Sequence, residues 1–219
     1  MSDSTKPSRR EFLKGTTAAA AGIILVGGLD IARTAYAAGS DELKIALIGC
    51  GARGRGAVRD CLTSCENVRL VAMGDAFKEP PLGSLERLRK DNTMMEKNAV
   101  TKIDVPADRI FIGLDAFQKV IGAGPDVVFL TTPPGFRPMH YAAAVAAGKH
   151  VFMEKPICVD APGFRSVMET NKAADEKGLK VVVGLQRRHS KQFLGPVKAI
   201  QDGSLGQIAF MRCYCNGKA

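Results

Sequence analysis

The spacing of three glycines in Gly49-Cys50-Gly51-Ala52-Arg53-Gly54, directly after the apolar run Leu43–Ile48, is the pattern in this chain with the clearest chemical meaning. Asp75 follows 21 residues after Gly54, at the end of a second apolar run, Val68 to Met73. This order suits a buried strand that turns sharply into a helix while its backbone approaches a pyrophosphate. Gly49 permits the tight turn, Gly51 the close approach, and Gly54 the packing of helix on strand. Ala52 and Arg53 complete the turn, and a helix predicted from roughly Arg55 to Ser64 directs its N-terminal amides at the phosphates. Asp75 then accepts hydrogen bonds from a ribose diol, which favours NAD. Arg53 and Lys78 soften the repulsion of a 2′-phosphate, so NADP stays open as an alternative.

A second set of residues falls at the ends of later apolar runs. In a parallel sheet the ligand sits beyond the carboxyl ends of the strands. That rule collects Thr132, Pro133 and Pro134 after one run, Glu154, Lys155 and Pro156 after the next, and Gln186, Arg187 and Arg188 after the last. Lys155 is the candidate for chemistry, because a strand-end ammonium can hydrogen-bond a reacting hydroxyl and favour its alkoxide. Glu154, Lys155 and Arg187 are candidates for cofactor contact, with bracing of the crossover as the alternative for Arg187 and Arg188. His189 follows this rim and reads as a polar residue at the crossover that leaves the sheet, with a substitute base as the alternative.

The elements that must carry these residues alternate regularly. Beyond the second strand, the pattern predicts a loop at 77–83 containing Pro80 and Pro81, a polar helix at 84–98 and a short strand at 109–112. A helix at 115–121, a strand at 127–131, a helix at 138–147 closed by Gly148 and a strand at 150–153 follow. A helix at 161–177 and a strand at 180–185 complete the series. Near-continuous Val, Ile and Leu runs separated by helices predict an α/β fold, a doubly wound parallel sheet covered on both faces. The amphipathic stretch 192–201, with Phe193, Leu194, Val197 and Ile200, predicts a packing helix, and 207–214 a further strand.

The N-terminus carries a different signal. Ser8-Arg9-Arg10-Glu11-Phe12-Leu13-Lys14 precedes an apolar stretch from Gly15 to Leu29 and the small-residue site Ala35-Tyr36-Ala37. Residues 1–37 therefore read as a twin-arginine export signal cleaved after Ala37, with a periplasmic or otherwise exported destination and the twin-arginine machinery as a partner. The apolar stretch is short for a membrane span. A dinucleotide is made in the cytoplasm, so an exported protein that uses one must fold around it first, and this pathway carries folded cargo.

Composition narrows the function classes. The 219 residues carry a net charge of +9, and residues 38–219 hold 26 basic and 19 acidic side chains. That excess suits an anionic cofactor, and no basic run interleaved with aromatics points to nucleic acid. The six cysteines form no CxxC pair and show no zinc spacing with the three histidines. They read as mostly free structural thiols with no metal site, and a disulfide in an oxidising compartment remains the alternative.

These residues together resemble the Gfo/Idh/MocA oxidoreductases. The resemblance rests on the glycine turn, Thr132-Pro133-Pro134, Ala147-Gly148-Lys149-His150-Val151, Glu154-Lys155-Pro156 and Gly184-Leu185-Gln186-Arg187-Arg188. It implies a Rossmann domain over 42–188 followed by the start of an α/β open-sheet substrate domain at 189–219. It also implies a sugar or polyol substrate, hydride transfer to a nicotinamide, a lysine at the Lys155 position assisting, and a homo-oligomer built through the second domain. Two departures stand out. Arg137 occupies a position where many members carry histidine, and His140 does not replace it by register. The family's acid or base usually comes from the second domain, of which the chain ends, at Ala219, in what reads as the first strand. An NAD-dependent glycosidase using transient oxidation, or a truncated non-catalytic cofactor-binding fragment, are the alternative readings.

Overall fold

The first apolar run forms β1, Leu43–Ile48, and the glycine segment turns it into α1, Ala52–Ser64. The computed structural model describes residues 42–212 and 214; the predicted export signal at 1–37, Cys213 and Cys215 lie outside the described residues. The chain continues through β2 (Val68–Asp75), α2 (Glu79–Arg89), α3 (Asn92–Glu96), β3 (Ile110–Ile112) and α4 (Ala116–Gly122). It then forms β4 (Val127–Leu130), α5 (Arg137–Ala146), β5 (His150–Met153), α6 (Ala161–Glu176), β6 (Val181–Val183) and α7 (Lys191–Gln201).

All strands pair in parallel, in the order β3-β2-β1-β4-β5-β6. The order reverses between β1 and β4, so the crevice above that pair is the switch point at which such sheets take ligands. Residue alternation along β1 explains the layering. Ile45 and Leu47 join a core with Val58, Leu62, Leu70 and Leu88, under α1 and α2. Ala46 and Ile48 join the opposite core with Val120, Tyr141, Val145 and Val167, under α4, α5 and α6. Both faces of the central strands β1, β2 and β4 are buried, which is why these strands carry near-continuous apolar runs. The sheet is the doubly wound α/β architecture expected of the pattern.

Four details differ from the expectation. Pro80 and Pro81 do not lie in a loop: they occupy the first turn of α2, where a missing N–H costs no helical hydrogen bond. The single helix at 84–98 is two, because Asp91 leaves the helical conformation and its side chain accepts from Met94 N at 3.1 Å, capping α3 anew. The helix at 191–201 forms, but Phe193, Leu194, Val197 and Ile200 remain exposed among the described residues. Residues 207–212 and Tyr214 are not a strand, since no neighbouring strand among the described residues offers them a ladder.

Candidate functional site

The turn after β1 is built by the close approach of three backbones. Gly49 has φ +93°, and a Cβ there would lie 2.5 Å from Thr132 N. A Cβ on Gly54 would lie 2.2 Å from Gly49 O and 2.5 Å from Thr131 Oγ1, so α1 rests directly on the turn and on the end of β4. Gly51 is different: a Cβ there would meet nothing within 4 Å. Gly51 is also the N-cap of α1, with no side-chain cap and no acid in the first turn. By contrast, α3 and α6 are closed by Asp91 and Asp160. The amides of Ala52, Arg53 and Gly54 thus form an uncapped, positively polarised helix end.

Asp75, the last residue of β2, is tied into the same turn. Its Oδ2 accepts from Cys50 N at 2.7 Å and its Oδ1 from Phe77 N at 3.1 Å. A carboxylate has about four acceptor sites, so about two remain for a diol. The Cys50 thiol beneath is fully buried and donates to Gly74 O at 3.3 Å. Burial and the Asp75 charge push its pKa up, which keeps it an unreactive thiol. Cys50, Cys61, Cys65 and Cys158 are all free.

A cleft of about 740 Å³ opens above the switch point, a size that suits a cofactor. Gly49, Gly51, Ala52, Arg53, Asp75, Thr132 and Pro133 line it. Its apolar wall comes from Phe77, Leu114, Phe117, Phe136 and Met139. Gly54 lies beneath the turn, and Pro134, Glu154, Lys155 and Arg187 do not line the cleft. Lys155 is exposed on the turn after β5. Arg187 is exposed too, its guanidinium 5.1 Å from the Phe193 ring centroid. His189 is exposed at the end of a single 3₁₀ turn.

Glu154 supports the cleft from behind. It is buried and accepts from Arg53 Nε at 2.7 Å, so Arg53 leans towards β5 and away from Asp75. Gly184 makes room for it: a Cβ there would lie 2.9 Å from Glu154 Oε1. Arg137, at the start of α5, is also buried and donates to the carbonyls of Thr132 and Pro156. Burial lowers its pKa, against the raising effect of Glu154.

Thr131, His140, Leu114 and Met139 carry no part of the motifs, yet all four contribute to the site. Thr131 Oγ1 lies within hydrogen-bond reach of Ile48 O and Gly49 O, locking β4 to the turn. His140 lines the cleft, stacked on Phe117 at 4.4 Å between centroids, with Nδ1 3.2 Å from Thr132 Oγ1. Burial, and then the Arg137 charge, lower its pKa to about 4, so it is neutral at pH 7. The wall residues Leu114 and Met139 carried no local signal. For His140 the signal was its place one helical turn after a strand-end Thr-Pro-Pro segment. Among the described residues no cluster of three or more His, Cys, Asp or Glu could hold a metal ion.

Comparison with known proteins bears on this geometry. Residues 43–185 match the family described as "Oxidoreductase family, NAD-binding Rossmann fold", Gfo/Idh/MocA. An inositol 2-dehydrogenase of Klebsiella pneumoniae is 26% identical over 172 residues, which are 78% of this chain and 45% of that protein. A scyllo-inositol 2-dehydrogenase (NADP(+)) of Bacillus subtilis is 33% identical over 135 residues, 62% of this chain and 36% of that protein. The chain therefore spans less than half the length of these relatives. Among solved structures, scyllo-inositol dehydrogenase from Lactobacillus casei with bound NAD(H) and scyllo-inositol shares the fold. It superimposes with a TM-score of 0.57 at 23% identity, covering 75% of this chain and 42% of that one.

Proposed function

The chain belongs to the Gfo/Idh/MocA oxidoreductase family, of NAD-binding Rossmann fold, and from that premise we propose that it binds NAD in the cleft above β1 and β4 as part of a dehydrogenase acting on a polyol or sugar. One observation carries the cofactor assignment: the open space over Gly51, the uncapped first turn of α1 and the carboxylate of Asp75 all face one cleft. The residues fit the dinucleotide part by part. The first-turn amides of α1 hold the pyrophosphate. Asp75 holds the adenosine ribose, and Phe77, Leu114 and Met139 give the base an apolar wall. Arg53, held by Glu154, is turned away from the ribose side, which favours NAD over NADP.

NAD supplies the hydride acceptor. The part of this chain in the chemistry is to place Lys155 at the rim, where its ammonium hydrogen-bonds the substrate hydroxyl and stabilises the alkoxide. The polyol assignment is supported by the relatives that are inositol dehydrogenases. Export through the twin-arginine pathway, from Arg9 and Arg10, and homo-oligomerisation complete the reading.

Titration calorimetry with NAD and with NADP, on the wild type and on Asp75→Ala, tests the cofactor assignment. The wild type is expected to prefer NAD, and Asp75→Ala to lose that preference. A wild type that prefers NADP, or binds neither, refutes it.

A further inference from the structure

Arg137 and Glu154 are the two buried full charges among the described residues, one at the start of α5 and the other directly after β5. Glu154 is accounted for by Arg53. Arg137 is not: it does not line the cleft, and its Nε finds no hydrogen-bond partner among the described residues. Burying a guanidinium is costly, and a packed apolar side chain often serves stability as well or better. What the fork does here is bridge two backbone segments, with one donor on the Thr132 carbonyl and another on the Pro156 carbonyl.

Those two segments diverge from adjacent strands. Thr132 follows β4 and lines the cleft, while Lys155 and Pro156 follow β5 and lie outside it. Ladder pairing between β4 and β5 ends at Leu130 and Met153, so it does not fix their spacing beyond that point. Among the described residues, the bond from Arg137 is the hydrogen bond that reaches the turn 155–159. On the other side Thr132 is held twice, by Arg137 at its carbonyl and by His140 at its hydroxyl.

We infer that Arg137 is a positioning residue: its guanidinium, forked between the carbonyls of Thr132 and Pro156, sets the place of Lys155 against the cofactor-lining wall. The inference rests on the reading that Lys155 works beside a bound nicotinamide. It assigns Arg137 no contact with cofactor or substrate. The fork geometry matters because the guanidinium donates from two nitrogens held in one plane, whereas an ammonium donates from a single atom on a flexible stem.

The test measures the reactivity of Lys155 directly. Trace acylation of the full chain by an amine-reactive reagent, read residue by residue by mass spectrometry with and without saturating NADH, reports how closely the cofactor covers Lys155. In the wild type NADH slows acylation of Lys155. In Arg137→Gln, NADH affinity stays within about threefold of wild type, equivalent to well under 1.4 kcal/mol, while the protection of Lys155 is lost. Arg137→Lys, which keeps the charge, behaves in the same way and carries the test if the Gln variant does not fold. Wild-type protection in the folded variants overturns the positioning role and leaves the cofactor assignment standing. A wild type that binds NADH without protecting Lys155 overturns the role of Lys155, and this inference with it. A wild type that does not bind NADH overturns the cofactor assignment itself.

Discussion

Gly54→Ala sets two physical effects against each other. Gly54 lies in the first turn of α1, where alanine is the better helix former by about 1 kcal/mol. Propensity alone therefore predicts a more stable protein. The added Cβ, however, would lie 2.2 Å from Gly49 O, 2.5 Å from Thr131 Oγ1 and 3.1 Å from Leu47 Cδ1. Even a carbon and oxygen that share a weak hydrogen bond stay about 3.3 Å apart, so α1 must retreat by roughly 1 Å. The nearest atom is a backbone oxygen, which cannot swing aside. Overpacking of this kind costs about 1–3 kcal/mol, and the clash with an immovable backbone oxygen puts the cost in the upper part of that range, for a net loss of about 1–2 kcal/mol and a Tm lower by several degrees in a domain of this size.

Two companion substitutions separate the causes. At Gly56 the new Cβ meets the flexible Arg53 Nη1 at 3.5 Å, so Gly56→Ala is expected to be neutral or stabilising. At Gly51 it meets nothing within 4 Å but faces the cleft. Gly51→Ala is expected to fold with at most a small capping loss and to weaken NAD binding. An overpacking cost of about 1–3 kcal/mol falls on the complex alone, about 5- to 150-fold in Kd. Thermal unfolding and NAD titration of all three variants form the assay. A Gly54→Ala protein as stable as Gly56→Ala would refute the packing argument, and unchanged NAD affinity in Gly51→Ala would refute the placement of the pyrophosphate.

Lys155→Met is expected to lower kcat by a factor of about 10² with NAD affinity nearly unchanged; near-normal turnover in steady-state assays would remove Lys155 from the chemistry. His140 has a folded pKa of about 4, below its usual 6.5, so the unfolded chain takes up more protons between these values. The stability it supports is full above pH 6.5 and falls as pH drops towards 4, with a slope of up to about one proton. Urea unfolding across that window should show a flatter pH dependence in His140→Phe, and identical profiles would refute the buried neutral imidazole. Arg9→Lys with Arg10→Lys keeps the charge but removes the guanidinium forks a receptor can read. Fractionation should find the double variant retained in the cytoplasm, and normal export would refute the leader assignment.

Local chemistry explains which parts of the fold were legible in the sequence. The elements at 127–130, 137–146, 150–153 and 161–176 were readable to within one residue, because Val-rich runs and closing glycines mark both ends. The prolines of α2 misled because the same residue type breaks a helix interior and opens a helix start. The cap at Asp91 was hidden inside a polar stretch with no change of period. In the site, the glycine turn was legible because its three glycines fall within six consecutive residues after an apolar run. The pairing of Arg53 with Glu154 joins residues 101 apart. The bracing by Arg137 depends on two carbonyls, which carry no signature of residue type. Both arise only when the sheet has closed.

Gly184 shows how far the glycine turn depends on the rest of the sheet. It stands 130 residues beyond Gly54, yet a side chain there would push the Glu154 carboxylate from its seat. With it would go the anchor that holds Arg53 over the start of α1. Transplanting β1, the turn and α1 into another scaffold would therefore move the phosphate cradle without its buttress. A graft that works would have to import β5 and β6 as well, with a residue lacking a side chain where β6 ends.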